Sequence, residues 1–227
     1  MESVDGMIVS RNKRMKFDDI IHIEAGSGEN LRSFSVHATC LTSRSPFFEK
    51  ALSGAWREAK DRTVKFPENK SDIVELYLQC VYDRPLDVEP DPVPENYAGH
   101  EERLQLAELY VFAEQVQDVR AKNMAVKAFM SSVWKPRKGG RRWPPGPATI
   151  NVIYEGTMPG SSMRRLCVDI FARGLIFGNI KYDNPPTEFL AEIIKEMFNL
   201  LISGTTKKLT RECNAEPYLE TEPNKDG

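Results

Sequence analysis

Three histidines and four cysteines are the side chains best suited to bind a metal or attack an electrophile: His22, His37 and His100, with Cys40, Cys80, Cys167 and Cys213. No C-x-x-C occurs, and these residues do not form the paired clusters of a zinc site, so no metal is expected. Gly26-Ser27-Gly28 is followed by Glu29-Asn30-Leu31, which fails the dinucleotide fingerprint G-x-G-x-x-G. The phosphate-cradling G-x-x-x-x-G-K-[ST] is absent, and Ser161 follows Gly160 without the G-x-S-x-G elbow of a nucleophilic serine. No catalytic residue and no cofactor emerge, and the chain is not expected to be an enzyme. Two basic clusters remain. One is Arg11, Lys13, Arg14 and Lys16; the other is Lys135, Arg137, Lys138, Arg141 and Arg142 beside Trp143. Such runs serve as import signals or nucleic-acid patches, but the plainer reading is a solvated segment. With a net charge of -2, no nucleic-acid partner is expected.

The elements that would position any site begin at Ile20. Ile21 and Ile23 alternate with His22 and Glu24, and Phe34 and Val36 with Ser33 and Ser35. That period of two suits half-buried strands, and Gly26, Ser27, Gly28 and Asn30 between them are turn formers, so the pair predicts a hairpin. Helical spacing follows. His37 to Leu41 predicts one short helix. A second starts at Ser45, a good N-cap, with Pro46 in its first turn, and Gly54 can end it. Thr63-Val64-Lys65-Phe66 predicts a third strand, and Ser71 opens a helix with Ile73, Leu76, Tyr77 and Cys80 on its inner stripe. Residues 84–100, with four prolines, predict a loop. Two helices follow. Glu101–Gln117 carries Leu104, Ala107 and Val111 on one side, and Asp118–Trp134 has Val126, Phe129, Met130 and Val133 as its inner face.

The order Asp19-Ile20, hairpin, Phe34-x-Val36-His37, Leu41 four residues after the His, and Ser45-Pro46-Phe47-Phe48 resembles the BTB/POZ family. The resemblance covers roughly residues 18–134, and the later helices are similar to those of stand-alone fungal BTB proteins. It implies an α+β fold, a small three-stranded sheet flanked by a helical cluster, with a C-terminal helical extension. It also implies a protein–protein interaction module. In family members that adapt a cullin scaffold, a bulky apolar residue, any residue and Glu stand just after the second short helix. Trp56-Arg57-Glu58 matches position by position. The resemblance thus implies a BTB-type adaptor linking a cullin-type ubiquitin ligase to a substrate, with Trp56 and Glu58 as the contact. The alternative is a homo- or hetero-oligomerising scaffold, nuclear or not, without a ubiquitin role. Such domains often dimerise, and Met7, Ile8 and Val9 offer an edge strand for it.

Composition fits a globular protein: 227 residues, 41% hydrophobic, 28% charged, with a mean hydropathy of -0.45. No apolar run is long enough for a membrane helix, and the first residues lack the apolar stretch of a signal peptide. Scattered cysteines point to reduced thiols in the cytoplasm or nucleus. The expected layout is a flexible segment over 1–17, the BTB/POZ-like domain over 18–134, a Pro/Gly/basic loop or linker over 135–149, a helical extension over 150–204 and a disordered tail over 205–227. In the extension, Ile150, Ile153 and Tyr154 predict a short helix. Ser161 or Ser162 caps a second. A third runs from Pro186-Thr187 to Gly204 and is expected to bury Leu190, Ile193, Ile194, Met197 and Leu201. No β-propeller repeat, zinc finger or heptad array marks a substrate module.

Overall fold

The computed structural model describes residues 18–54, 56–173, 184–204 and 214–222. Met7–Val9, the basic cluster Arg11–Lys16 and Cys213 lie outside them. The chain is α+β and falls into two compact units, 1–71 and 72–227.

In the first unit, β1 (Ile20–Ala25) is the central strand of a three-stranded sheet. It pairs antiparallel with β2 (Arg32–His37), Ile23 opposite Phe34, and parallel with β3 (Thr63–Phe66), Ile23 beside Val64. Alternation sends Ile21, Ile23 and Ala25 into the core. The β1–β2 connection turns at Gly26, whose φ is +82°; a Cβ there would lie 2.5 Å from the Asn30 carbonyl oxygen, so only glycine fits.

Helix α1 (Ala38–Thr42) follows β2 directly. Helix α2 (Pro46–Ala51) is capped by Ser45, whose Oγ accepts the Phe48 N–H at 3.1 Å. Residues 57–61, Arg-Glu-Ala-Lys-Asp, are mostly strong helix formers and make the short helix α3 (Arg57–Asp61), closed by Arg62 in the left-handed region. The chain then enters β3, and the Arg62 carbonyl accepts the His22 N–H at 2.8 Å, which starts the parallel ladder.

The second unit is helical. Helix α4 (Ser71–Val81) buries the expected stripe, Ile73, Leu76, Tyr77 and Cys80. Helices α5 (His100–Gln115) and α6 (Val119–Trp134) pack against each other, and α7 (Pro147–Gly156) packs on α5. The approach of α7 to α5 requires Gly156: a Cβ there would lie 2.5 Å from Val111 Cγ1. Asp118 caps α6, its Oδ1 accepting the Ala121 N–H at 2.9 Å, while its Oδ2 accepts the Tyr77 hydroxyl at 3.1 Å. Helices α8 (Ser162–Arg173) and α9 (Thr187–Ser203) complete the unit.

Three expectations are corrected here, the buried faces of α5 and α9 and the disorder of the tail. Helix α5 does not bury one side: α6 and α7 both pack on it, and Glu102, Arg103, Leu106, Leu109, Tyr110 and Phe112 are all buried, whereas Leu104 and Val111 are half-buried. Helix α9 turns a different face inward. Phe189 is buried, with its ring 5.2 Å from Phe171 and 5.4 Å from Tyr154, and Glu192 accepts the Tyr154 hydroxyl at 2.6 Å. Arg173 holds Glu196 at 2.6 Å. These partners fix the rotation of the helix, so Leu190, Ile194, Met197 and Leu201, with Phe198 and Ile202, stand in solvent.

The stretch 135–149 is held by side-chain contacts and runs into α7 at Pro147. Arg137 is buried between Glu102 at 2.8 Å and Glu89 at 3.1 Å, and Arg142 donates to the Trp134 carbonyl at 3.0 Å. The expected disordered tail is ordered over 214–222. A 3-10 turn spans Glu216–Tyr218, Tyr218 is buried and Glu220 is hydrogen-bonded to α5 and α6.

Candidate functional site

The residues that carry the family resemblance build the frame of the first unit. The Asp19 carbonyl accepts the Ala38 N–H at 2.8 Å, and its carboxylate pairs with Arg62, so one residue ties the start of β1 to α1 and to the chain entering β3. His37 ends β2 and stands at the N-cap position of α1. Leu41 is fully buried. Phe48 is buried against Phe47 (ring centroids 5.2 Å apart) and Phe66 (6.0 Å), in edge-on geometry that suits aromatic quadrupoles. Phe47 is only half-buried.

Trp56 and Glu58 stand apart from this frame. Trp56 occupies the N-cap position of α3 with its side chain 67% exposed, and Glu58 is half-buried in the first turn. A carboxylate there is favourable beside unpaired helix N–H groups. Arg57 and Asp61, at 3.1 Å, form an exposed i,i+4 pair that steadies α3 by no more than about 0.5 kcal/mol. An indole left in water at the start of a short helix has the properties that a partner contact would use: covering it would bury a large apolar area at little cost in side-chain freedom.

The second basic cluster does not make an open cationic patch. Lys135 and Arg137 share Glu89, and Lys138 pairs with Glu95. The Lys135 hydrogen bond and the charges of Lys135 and Arg137, working against partial burial, hold the Glu89 carboxyl below the usual carboxylate range. Acidic residues of the 84–100 loop thus neutralise much of the run that the sequence presents as bare charge.

Among the described residues, no three His, Cys, Asp or Glu side chains gather as metal ligands, and no helix is long and apolar enough to cross a membrane. His22 Nδ1 lies 3.3 Å from Ser35 Oγ on an adjacent strand. The described cysteines are thiols, and burial pushes that of Cys167 far up from its ordinary value. Sequence reasoning missed the contacts of Tyr218 and Glu220 with Tyr110, Lys122, Asn123 and Asp169. The signal for them was Tyr218-Leu219, an aromatic-aliphatic pair in an otherwise polar tail.

No curated protein matches the chain. Residues 9–120, which hold the sheet, Trp56 and Glu58, match the model of the BTB/POZ domain, and the chain is a BTB/POZ-domain protein whose domain serves protein–protein interaction.

Proposed function

We propose that this BTB/POZ protein is an adaptor that joins a cullin-type ubiquitin ligase scaffold to a substrate. The observation that carries the reading is the exposed Trp56, two residues before Glu58 in the segment between α2 and β3. An indole left in water gains free energy when a partner helix covers it, whereas Glu58 at the edge of the same contact serves selectivity and rate. The substrate would then meet the helical unit. The test is calorimetric titration of the full chain with a purified cullin scaffold. Trp56→Ala is expected to weaken binding at least about thirtyfold, which corresponds to about 2 kcal/mol, and Glu58→Ala less. A wild-type chain that binds no cullin overturns the reading.

A second reading, self-association or partner assembly without ubiquitin, draws on α9. Leu190, Ile194, Met197 and Leu201 recur at intervals of four and three and form one exposed stripe, with Phe198 and Ile202 beside it. Folded monomers seldom leave an apolar patch larger than roughly 300–600 Å² uncovered. A chain that is dimeric by light scattering and indifferent to cullin favours this reading over the first.

A further inference from the structure

Residues 218–220 are held in a way that reads as recognition of a short peptide. The amide of Asn123 on α6 pairs with the backbone of Glu220 on both sides: Glu220 N–H donates to Asn123 Oδ1 at 2.8 Å, and Asn123 Nδ2 donates to the Glu220 carbonyl at 2.8 Å. This pair of hydrogen bonds is the pattern of one β-strand residue facing another, and it reads backbone without regard to side chain. Two further contacts read side chains. The Tyr110 hydroxyl on α5 donates to Glu220 Oε1 at 2.9 Å, and the Lys122 ammonium on α6 binds Glu220 Oε2. The Tyr218 ring is buried, and its hydroxyl donates to Asp169 Oδ2 on α8 at 2.7 Å.

The receptor side is prepared for an acidic ligand. The Lys122 side chain is only 9% exposed, and it lies 5.5 Å above the Tyr110 ring while also pairing with Glu114. Burial and the neighbouring Glu220 push the Tyr110 phenol far above its ordinary range, so it stays a donor. Asp169 is held in turn by Arg173 at 2.8 Å. On the ligand side, Glu216, Pro217, Thr221 and Glu222 are exposed, and Glu222 meets Arg120 only in a solvent-exposed pair at 3.6 Å, so Tyr218 and Glu220 are the anchors, with the residue between them half-buried. An element of the core would hide most of its residues; a bound motif hides only its anchors.

We propose that this cradle of α5, α6 and α8 is a binding site for short peptides of the form Tyr-x-Glu on partner proteins, the Tyr closing a 3-10 turn, and that the chain's own residues 218–220 occupy it as a competing ligand in cis. A ligand on the same chain is present at an effective concentration on the order of millimolar, so a free peptide is outcompeted. A partner already docked elsewhere on the protein presents its motif at comparable effective concentration and displaces the tail. The proposal rests on the chain being an interaction protein, and not on any cullin.

The test uses the full chain with Tyr218→Ala and Glu220→Ala together, and a fluorescent peptide of residues 214–222 followed by anisotropy. The peptide is expected to bind this variant at least about tenfold more tightly than it binds wild type, because the tethered competitor is gone. Adding Asn123→Ala is expected to remove the gain, and a peptide with alanine in place of its tyrosine is expected not to bind. Cullin binding is expected to be unchanged in every variant, which keeps this test separate from that of Trp56. Equal binding to wild type and variant, no binding to either, or binding that survives Asn123→Ala overturns the proposal. So does a variant that has lost the cooperative melt of the wild type, since the tail would then be part of the core.

Discussion

Replacing Arg164 by alanine is expected to destabilise the helical unit by about 2–5 kcal/mol, because each buried carbonyl left without its donor costs roughly 1–3 kcal/mol. Arg164 is 3% exposed and serves the end of α7 from its place on α8. One Nη2 donates to the Tyr154 carbonyl at 2.7 Å and also reaches the Thr157 carbonyl, while Nε donates to Thr157 Oγ1 at 3.0 Å. The last carbonyls of a helix have no intrahelical partner, so a cation there satisfies them and meets the negative end of the dipole. The guanidinium also stacks 4.3 Å over the Tyr154 ring. Alanine would leave those carbonyls dry and unpaired. Arg164→Lys is expected to fall between, because one ammonium cannot span the fork of contacts. Glu188, at 2.7 Å from Arg164 but two-thirds exposed, contributes little, and Glu188→Ala is expected to cost less than about 1 kcal/mol. Urea unfolding followed by circular dichroism measures all three; a loss below about 1 kcal/mol for Arg164→Ala would refute this account of the α7 end.

The second large effect is expected in the first unit. Phe48→Ala removes a fully buried ring from the cluster with Phe47 and Phe66 and should cost about 3–5 kcal/mol. Trp56→Ala, though it deletes a larger side chain, is expected to change stability by no more than about 0.5 kcal/mol, because the indole is already in water. Melting curves of the two variants separate a core aromatic from a contact aromatic. A Trp56→Ala protein that melts as early as Phe48→Ala would remove Trp56 from consideration as an anchor.

Sequence pattern reveals an element when local chemistry and tertiary demand agree. Ser45-Pro46 caps α2 as its types dictate, and the period-two runs of β1 and β2 fold as a hairpin around Gly26. The inner stripes of α4 and α6 are also legible, because each helix buries one face. Legibility fails where a glutamate finds a better partner inside than water. Glu192 and Glu196 rotate α9 toward Tyr154 and Arg173, against its widest apolar stripe. It fails again for α5, whose buried Glu102 and Arg103 read as surface residues until Arg137 and Ser132 are placed beside them. The tail escaped for a related reason: its polar composition argues against a core, but Asn123 and Lys122 hold it by polar contacts. Of the candidate contact, the residue types were readable at Trp56 and Glu58; their exposure was not, since a tryptophan after a short helix packs inward as readily as outward.

The exposed stripe of α9 has a practical consequence for anyone handling this protein. Leu201 and Ile202 are 76% and 84% exposed in the folded chain. Dyes that bind apolar surface, such as ANS, whose fluorescence is taken as a sign of loosened packing, have a landing place on the native helix itself. A bright dye signal at room temperature therefore does not mean that this protein is partly unfolded. Dye-based melting will start from a high baseline, and thermal stability is better read from the circular dichroism of its helices.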